Sequence, residues 1–449
     1  MKRTLAVLMV MLLSFSLFAC GGETQEATQV AGTTQAAEAA GEFKVGFGRA
    51  DITSKTSVPL AGYGNTTERM SQGALTFLYA TCIAITDQAG ESVLFYTIDH
   101  VCTNADWMED FRTAITEVTG VPGDRILMSA THTHSGPDVR DQVTSSHPYY
   151  TVYKDGLVAA AKQAMADQAP ATVASGSTTV DGLNFVRHYL MSDGNMAGDN
   201  YGDFTVAKAV DNHHKADNEV QIIQFAREGK KDVVMINFQV HPKLTSTASS
   251  DYGLRTRMLQ SADVVYSTVE YMEKNADVQA AYFQGACGNL NPLDSYIPEH
   301  NGLEQVDFKL YGEKLGGAVL DALTGLKQMT VEPTITTKQT IFEVPHKNGG
   351  DPNMMELDAV KLGDIGFVTA PYEMFDTNGV QIKDGSPFET TFVITYANGR
   401  FAYVPSDDTY DYTTADGSVA YEITLSYVNR GAAEDLVAQF LSMLNELAG

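Results

Sequence analysis

Ser129-Ala130-Thr131-His132-Thr133-His134-Ser135-Gly136-Pro137 decides the reading of this chain. A mostly apolar run, Ile126–Ala130, leads into two histidines separated by one threonine, and a small-residue turn follows. On a strand, residues i and i+2 point to the same side. His132 and His134 are therefore expected to face one point at the carboxyl end of a strand, where ligands gather in open α/β sheets. Two imidazoles at one spot suit zinc or another borderline metal. The spacing alone also fits two polar residues closing a strand.

Three further segments share this design, an apolar strand ending in a polar turn marked by glycine or proline. Val233–Pro242, VVMINFQVHP, presents His241. Phe367–Phe375, FVTAPYEMF, presents Glu373 just after Pro371. Tyr396–Pro405, YANGRFAYVP, presents Tyr403. Two His and one Glu are an established ligand set for catalytic zinc and leave a position open for water. Singly, a strand-end His caps, a Glu after Pro starts a helix and a strand Tyr packs in the core. Their recurrence at equivalent strand ends joins them into one candidate site. Asp99 and His100 end the strand Ser92–His100 at the same level, so Asp99 suits either orienting a ligand His or simply closing the strand. Arg49-Ala50-Asp51 reads as a structural ion pair or turn, and Gly62, Gly64 and Gly136 as tight turns near the site.

Strand-like and helix-like runs alternate along the chain. Leu78–Asp87 and Ser92–Cys102 read as strands, Asn104–Val118 as a helix with Trp107, Phe111, Ala114 and Ile115 on one side, and Arg125–Ala130 as a strand. That is a βαβ unit with parallel pairing. Val152–Gln168 is a second helix. Val220–Ala226 and Asp232–Val240 are strands, Leu254–Lys274 a helix, Ala280–Phe283 a strand and Asp307–Leu326 a helix. Ile335–Val344, Met355–Lys361, Ile365–Thr369 and Phe392–Thr395 are strands, with a short helix from about Glu373 and a closing helix Ala432–Leu447. The class is α/β, with mixed sheet flanked by helices on both faces and the candidate metal site at strand carboxyl ends.

The first twenty residues stand apart. Lys2 and Arg3 precede the apolar run Leu5–Phe18, which leads to Leu17-Phe18-Ala19-Cys20. This is a secretory signal, and its ending resembles the bacterial lipoprotein signal, with lipidation expected on Cys20 unless the cysteine follows an ordinary signal by chance. Residues 21–42 lack bulky apolar side chains and read as a flexible tether. Residues 43–449 follow as one large domain without a second low-complexity linker. The expectation is an extracytoplasmic protein anchored to the bacterial cell membrane through its lipid. The net charge of −26, from 56 acidic and 30 basic residues, argues against nucleic-acid binding. Besides Cys20 only Cys82, Cys102 and Cys287 occur, which is no disulfide framework. Cys82 and Cys102 lie in or at the end of runs that suit neighbouring strands, so a bridge between them is open. Cys287 reads as a small buried residue rather than a nucleophile.

SATHTHSGP, with GFGRADIT (Gly46–Thr53) and PLAGYG (Pro59–Gly64), resembles the neutral/alkaline (non-lysosomal) ceramidases and their bacterial relatives, from about Lys44 onward. The resemblance implies Zn2+ held by His132, His241, Glu373 and Tyr403. It implies a catalytic role for His134 and for Arg187 in NFVRHYL, and it matches a Tyr-Glu pair at Tyr421-Glu422. Two departures stand out. Gly288-Asn289-Leu290-Asn291-Pro292 aligns with a family segment whose Ser is a proposed nucleophile or site residue, and Asn291 takes that place. The chain also ends soon after Tyr421, so the expectation is a relative without the family's C-terminal immunoglobulin-like domain.

The resemblance implies a zinc amidohydrolase acting on a small-molecule or lipid amide, such as an N-acyl sphingolipid, by water that zinc activates. His134 would move protons, Arg187 and Tyr403 would stabilise the oxyanion, and Asn291 would donate to it or hold substrate. A carboxamide has no hydroxyl or thiol with which to attack. An esterase on the same fold and a non-catalytic ligand-binding surface lipoprotein are the alternatives. A phosphoesterase fits less well, because no carboxylate-rich site for two metals is evident.

Overall fold

The computed structural model describes residues 41–449 except 65, 66, 249 and 303–306. The signal segment, Cys20 and all of the tether but its last two residues lie outside the described residues. Strands β1 (Lys44–Asp51), β2 (Tyr79–Thr86) and β3 (Ser92–Ile98) pair antiparallel in succession. Helix α1 (Met108–Thr119) then crosses to β4 (Ile126–Ala130), which pairs parallel with β3, giving the expected βαβ unit. Helix α2 (Pro148–Ala166) starts with proline in its first turn, and His147 caps it by accepting from the Tyr149 amide. It leads to β5 (Ala169–Thr179), which joins the free edge of β1.

Four short strands follow, β6 (Phe185–Val186), β7 (His188–Met191), β8 (Met196–Gly198) and β9 (Ala209–Asn212), all outside the main sheet. The sheet resumes with β10 (Glu219–Arg227) and β11 (Asp232–Phe238), and after helices α3 (Asp251–Thr256) and α4 (Asp263–Asn275) it ends on β12 (Val278–Gln284). Then come β13 (Leu290–Asn291), α5 (Phe308–Ala322) and β14 (Lys327–Gln328). The order is β12-β11-β10-β5-β1-β2-β3-β4, with β14 on β5. This sheet curls until its two edges meet. Thr97 on β3 donates to the Tyr282 carbonyl of β12, and Gln284 at the end of β12 donates to Thr131 O (3.0 Å) and Val240 O (2.5 Å). One buried carboxamide thus ties the exit of β4 to the exit of β11, the two strands that lead to His132 and His241.

A second sheet is built from β15 (Ile335–Val344), β16 (Asn353–Leu362) and β17 (Ile365–Thr369). After β18 (Glu373–Met374) and α6 (Asp376–Gly385) it takes in β19 (Thr390–Ile394), parallel to β17. The chain closes with β20 (Tyr403–Val404), the short α7 (Tyr421–Leu425) and α8 (Ala432–Ala448). The inner core lies between the sheets, where Phe47, Phe95, Met235 and Phe283 meet Val360, Phe367 and Phe392, with the Phe95 and Phe367 rings 4.7 Å apart. Side chains of this kind contribute about 1.5–3 kcal/mol each when fully buried. Among the described residues the long helices cover the outer faces: α1 and α2 with α4 and α5 on the large sheet, and α8 on the small one. The mixed α/β domain flanked by helices is as the sequence predicts. The helix expected on the inner face is replaced there by the second sheet.

Other differences are local. The single helix expected over 254–274 is two, because Gln260 pairs with both backbone groups of Ser54 and with Gly73 O, which pulls the chain out of helical geometry between them. The helix expected from about Glu373 begins at Asp376, leaving Glu373 in β18. Cys82 and Cys102 form no bridge and all three described cysteines are free. Cys82 faces the helix-side core, while Cys102 packs with Ala61 and Val101. Among the described residues no helix is long and apolar enough to cross a membrane.

Candidate metal centre

His132 follows β4 by two residues and sits at φ 65°, the left-handed region that costs a bulky L-residue on the order of 1–3 kcal/mol. The turn at Tyr396–Asn398 holds the strand beneath it: Met128 N donates to Asn398 Oδ1 (2.8 Å) and Ala130 N to Tyr396 O (3.1 Å). The His132 Nδ1 bonds the Val101 carbonyl at 2.6 Å. A carbonyl only accepts, so Nδ1 carries the proton and the Nε2 lone pair faces inward. His241 is built alike. Its Nδ1 bonds the Leu290 carbonyl (2.9 Å), and its Nε2 is buried without a partner.

Both Nε2 atoms lie 3.7 Å from Glu373 Oε2. Donors on one tetrahedral ion at about 2 Å are themselves about 3.3 Å apart, so two nitrogens and a carboxylate oxygen at these separations, one of them an orphaned buried lone pair, fit a divalent cation. His134 joins them, with Nε2 3.3 Å from His132 Nε2, and the three histidines form a buried group of metal-binding geometry. Burial, reinforced by the neighbouring histidines at His134 and by Arg187 at His241, holds the histidines far below the ordinary imidazole value, neutral and able to ligate. The wall behind His134 is tight. Gly62 sits at φ 100°, and a Cβ there would come within 2.4 Å of the His134 ring. Gly136 is pressed against the Asp99 carbonyl, whereas Gly64 meets nothing within 4 Å and is not required by space.

Tyr403 is Glu373's partner in the parallel β18–β20 pair. Burial, together with the Glu373 carboxylate, pushes its hydroxyl well above the ordinary phenol value, so it remains a donor. The Arg187 guanidinium lies 5.5 Å from the Tyr403 ring and pairs with Glu422: Nε to Oε1 is a 2.7 Å hydrogen bond, and Nη2 adds an ion-pair contact at 2.6 Å. The sequence-predicted Tyr421-Glu422 pair therefore acts at the site in two ways, with Glu422 holding Arg187 and Tyr421 lining the cleft. That cleft, about 420 Å³, is lined by His132, His134, Glu373 and Tyr403 and also by Tyr63, Phe401, Leu425 and Tyr427.

Several expectations change. Asp99 does not orient a ligand histidine: it accepts from Tyr79 N (2.7 Å) and Thr131 Oγ1 (3.2 Å), and the Val101 carbonyl does the orienting. His100 turns away, with Nε2 against the Tyr149 hydroxyl at 2.7 Å under α2. Arg49 is paired with Glu273 across the sheet seam, and Asp51 caps the Thr53 amide. Burial pushes the Cys287 thiol up, which agrees with a non-nucleophilic role. Asn291 gives Nδ2 to Asp199 Oδ2 (2.7 Å), and the atom it leaves without a partner is the acceptor Oδ1, not the donor expected for an oxyanion.

Three site residues were missed. Tyr396 stacks on His132 at 3.9 Å and its hydroxyl lies 3.4 Å from Glu373 Oε2. Its signal was present, seven residues before Tyr403 in the same strand-and-turn segment. Lys243, two residues past His241, lies 3.4 Å from Asp199. Asp199 itself sits in a stretch with no local motif.

A family model described as neutral/alkaline non-lysosomal ceramidase, N-terminal, matches residues 43–292. No curated protein matches the chain in sequence. Solved structures share the fold, among them two ceramidases. A ceramidase complexed with C2 superposes with a TM-score of 0.70 at 15% identity, covering 91% of this chain and 75% of that one. The neutral ceramidase from Pseudomonas aeruginosa superposes with a TM-score of 0.68 at 16% identity, covering 90% and 74%. With more than half of its length matched by the family model, the chain belongs to the neutral/alkaline non-lysosomal ceramidase family and is a ceramidase-like hydrolase.

Proposed function

We propose that this hydrolase is zinc-dependent and cleaves the amide of an N-acyl lipid or a related N-acyl compound by direct attack of water. The observation that carries the proposal is the buried convergence of His132 Nε2, His241 Nε2 and Glu373 Oε2, with both second ring nitrogens fixed by backbone carbonyls. These three residues hold the ion, with Tyr403 as the fourth ligand implied by the family pattern. When bound, zinc polarises the scissile carbonyl and acidifies an attacking water. Neutral His134 accepts that water's proton and returns it to the leaving nitrogen. Arg187, fixed by Glu422, and the Tyr403 hydroxyl donate toward the tetrahedral oxygen. Tyr63, Phe401, Leu425 and Tyr427 offer an apolar bed for an acyl chain.

The test is metal analysis of the purified protein, followed by a panel of fluorogenic amides and esters before and after chelation. One zinc per chain with chelator-sensitive amide hydrolysis is expected. A metal-free protein with full activity would overturn the assignment. The proposal extends to location: Cys20 carries a lipid and tethers the domain to the outer face of the bacterial cell membrane. A Cys20→Ala variant should then leave the membrane fraction, and retention there would refute the anchor.

A further inference from the structure

The turn that follows the two motif histidines carries Asp138 and Arg140. Asp138 is fully buried, and its amide donates to the Pro59 carbonyl (2.8 Å). Its Oδ1 accepts from Arg140 N (3.2 Å) and from Arg140 Nε (2.9 Å). A buried carboxylate therefore fixes the root of this guanidinium, while among the described residues Nη1 and Nη2 have no hydrogen-bond partner. Arg140 lines the cleft of the metal centre and Asp138 does not. Arg400 lines the same cleft. Its Nη1 donates to Asp141 Oδ1 (2.9 Å), and its Nε and Nη2 have no partner among the described residues. The two charges act at one place: burial pushes the Cys102 thiol, also in the cleft lining, up to about 12, and Arg140 and Arg400 both pull against it. His132, held low by burial, also feels Arg140. The chain as a whole carries −26 and repels anions. Two guanidiniums with unused donors in its site cleft run against that field, and their planar forks match the oxygens of a carboxylate or sulfonate.

We propose that Arg140 and Arg400 bind an anionic group on the amine half of the substrate, so that the enzyme hydrolyses N-acyl amino acids or N-acyl aminosulfonates in preference to uncharged N-acyl lipids. The inference rests on the amide-hydrolase reading above and names its substrate class. The oxygen of water bonds to the acyl carbon, the C–N bond breaks, and the nitrogen leaves with a proton as an amine that bears the anion. The acyl chain takes the apolar residues of the cleft, Tyr63, Phe401, Leu425 and Tyr427, which leaves the guanidiniums for the amine half. Arg140 and Arg400 are specificity residues that touch substrate, and Asp138 is a positioning residue. An uncharged amine half forgoes charge-assisted hydrogen bonds worth about tenfold to a hundredfold each in affinity.

The experiment uses the full chain and four substrates with one acyl chain: N-dodecanoylglycine, N-dodecanoyltaurine, the uncharged isostere N-dodecanoylglycinamide and N-dodecanoylsphingosine. At least one of the two anionic compounds should be cleaved with a kcat/KM at least about tenfold above the glycinamide, and the better of the two names the anion. The advantage should lie mainly in KM and should shrink as salt is raised. Arg140→Gln should lower the anionic-to-glycinamide ratio by about tenfold or more, and the more exposed Arg400→Gln by about threefold. Arg140→Lys, which keeps the charge and loses the fork, should restore part of the ratio. Anionic compounds cleaved no better than the glycinamide, or a ratio unchanged in both Gln variants, would overturn the inference while leaving the hydrolase reading intact. If Arg140→Gln fails to fold for want of its pair with Asp138, the wild-type comparison and Arg400→Gln still decide. Hydrolysis of none of the four would instead overturn the amide-hydrolase reading.

Discussion

Replacing Glu422 by Gln removes the counter-charge of a fully buried guanidinium while keeping the side chain's shape. Burial alone would raise the Glu422 carboxyl, but Arg187 and then His188 bring it from 4.5 down to about 2. By the linkage between titration and folding, this displacement is worth on the order of 3 kcal/mol at neutral pH. Removing one partner of a buried pair costs a comparable amount, about 3–5 kcal/mol. The sign follows from the direction. The folded carboxyl binds protons more weakly than the unfolded one, so its contribution is complete above pH 4.5 and fades as the pH falls toward 2. Urea unfolding of wild type and variant across this range is the assay. At pH 7 the variant should be roughly 3 kcal/mol less stable, and the gap should narrow by about 1.4 kcal/mol for each pH unit below 4.5. Arg187, released from its fixed position, should also contribute less to catalysis, a loss of about tenfold to a hundredfold in kcat. A variant as stable as wild type at pH 7, or a gap that does not close in acid, would refute the argument that Glu422 is a charged strut.

His132→Ala and His241→Ala should each empty the metal site, read as zinc per chain, whereas His134→Ala should keep zinc and lose about a hundredfold or more in kcat; zinc lost from His134→Ala would move that residue into the ligand set. Tyr396→Phe removes the hydroxyl beside Glu373 but keeps the ring stacked on His132, so zinc content should hold and kcat fall only about threefold to tenfold; loss of zinc would show that the hydroxyl is needed to hold Glu373. Asp99→Asn should stabilise the fold above neutral pH. Burial raises Asp99 to about 7, so its contribution, present below 3.8, is lost as the pH rises toward 7. Equal stability of variant and wild type in thermal unfolding at pH 8 would contradict this.

What was legible in the sequence follows from how local each signal is. The βαβ unit and most main strands announced themselves because their apolar runs are nearly continuous, as in VVMINF and VLFYTI. β5 did not, since ATVASGSTT is small and polar and buries only the adjacent Val173 and Ala174. It is a strand because β1 and β10 flank it. The second sheet's position was equally hidden: β16 and β17 read as strands, but nothing local distinguishes a face that packs on another sheet from one that packs on a helix.

The site divides the same way. His132, His241 and Glu373 each end an apolar strand at a marked turn, so each could be found from its own segment. Their convergence depends on Gln284, which carries no motif and ties two strand exits together across the seam of the sheet. The electrostatic frame is less local still. Arg187 and Glu422 are 235 residues apart in sequence, and Asn291 and Asp199 are 92 apart. A buried charge needs a partner wherever the fold puts it, so a lone arginine in NFVRHYL implies a distant carboxylate without saying which. Ligands can therefore be read from a strand's end, whereas the partners that hold buried polar groups in place, Glu422 behind Arg187 and Asp199 beside Asn291, become visible only when the chain has closed around them.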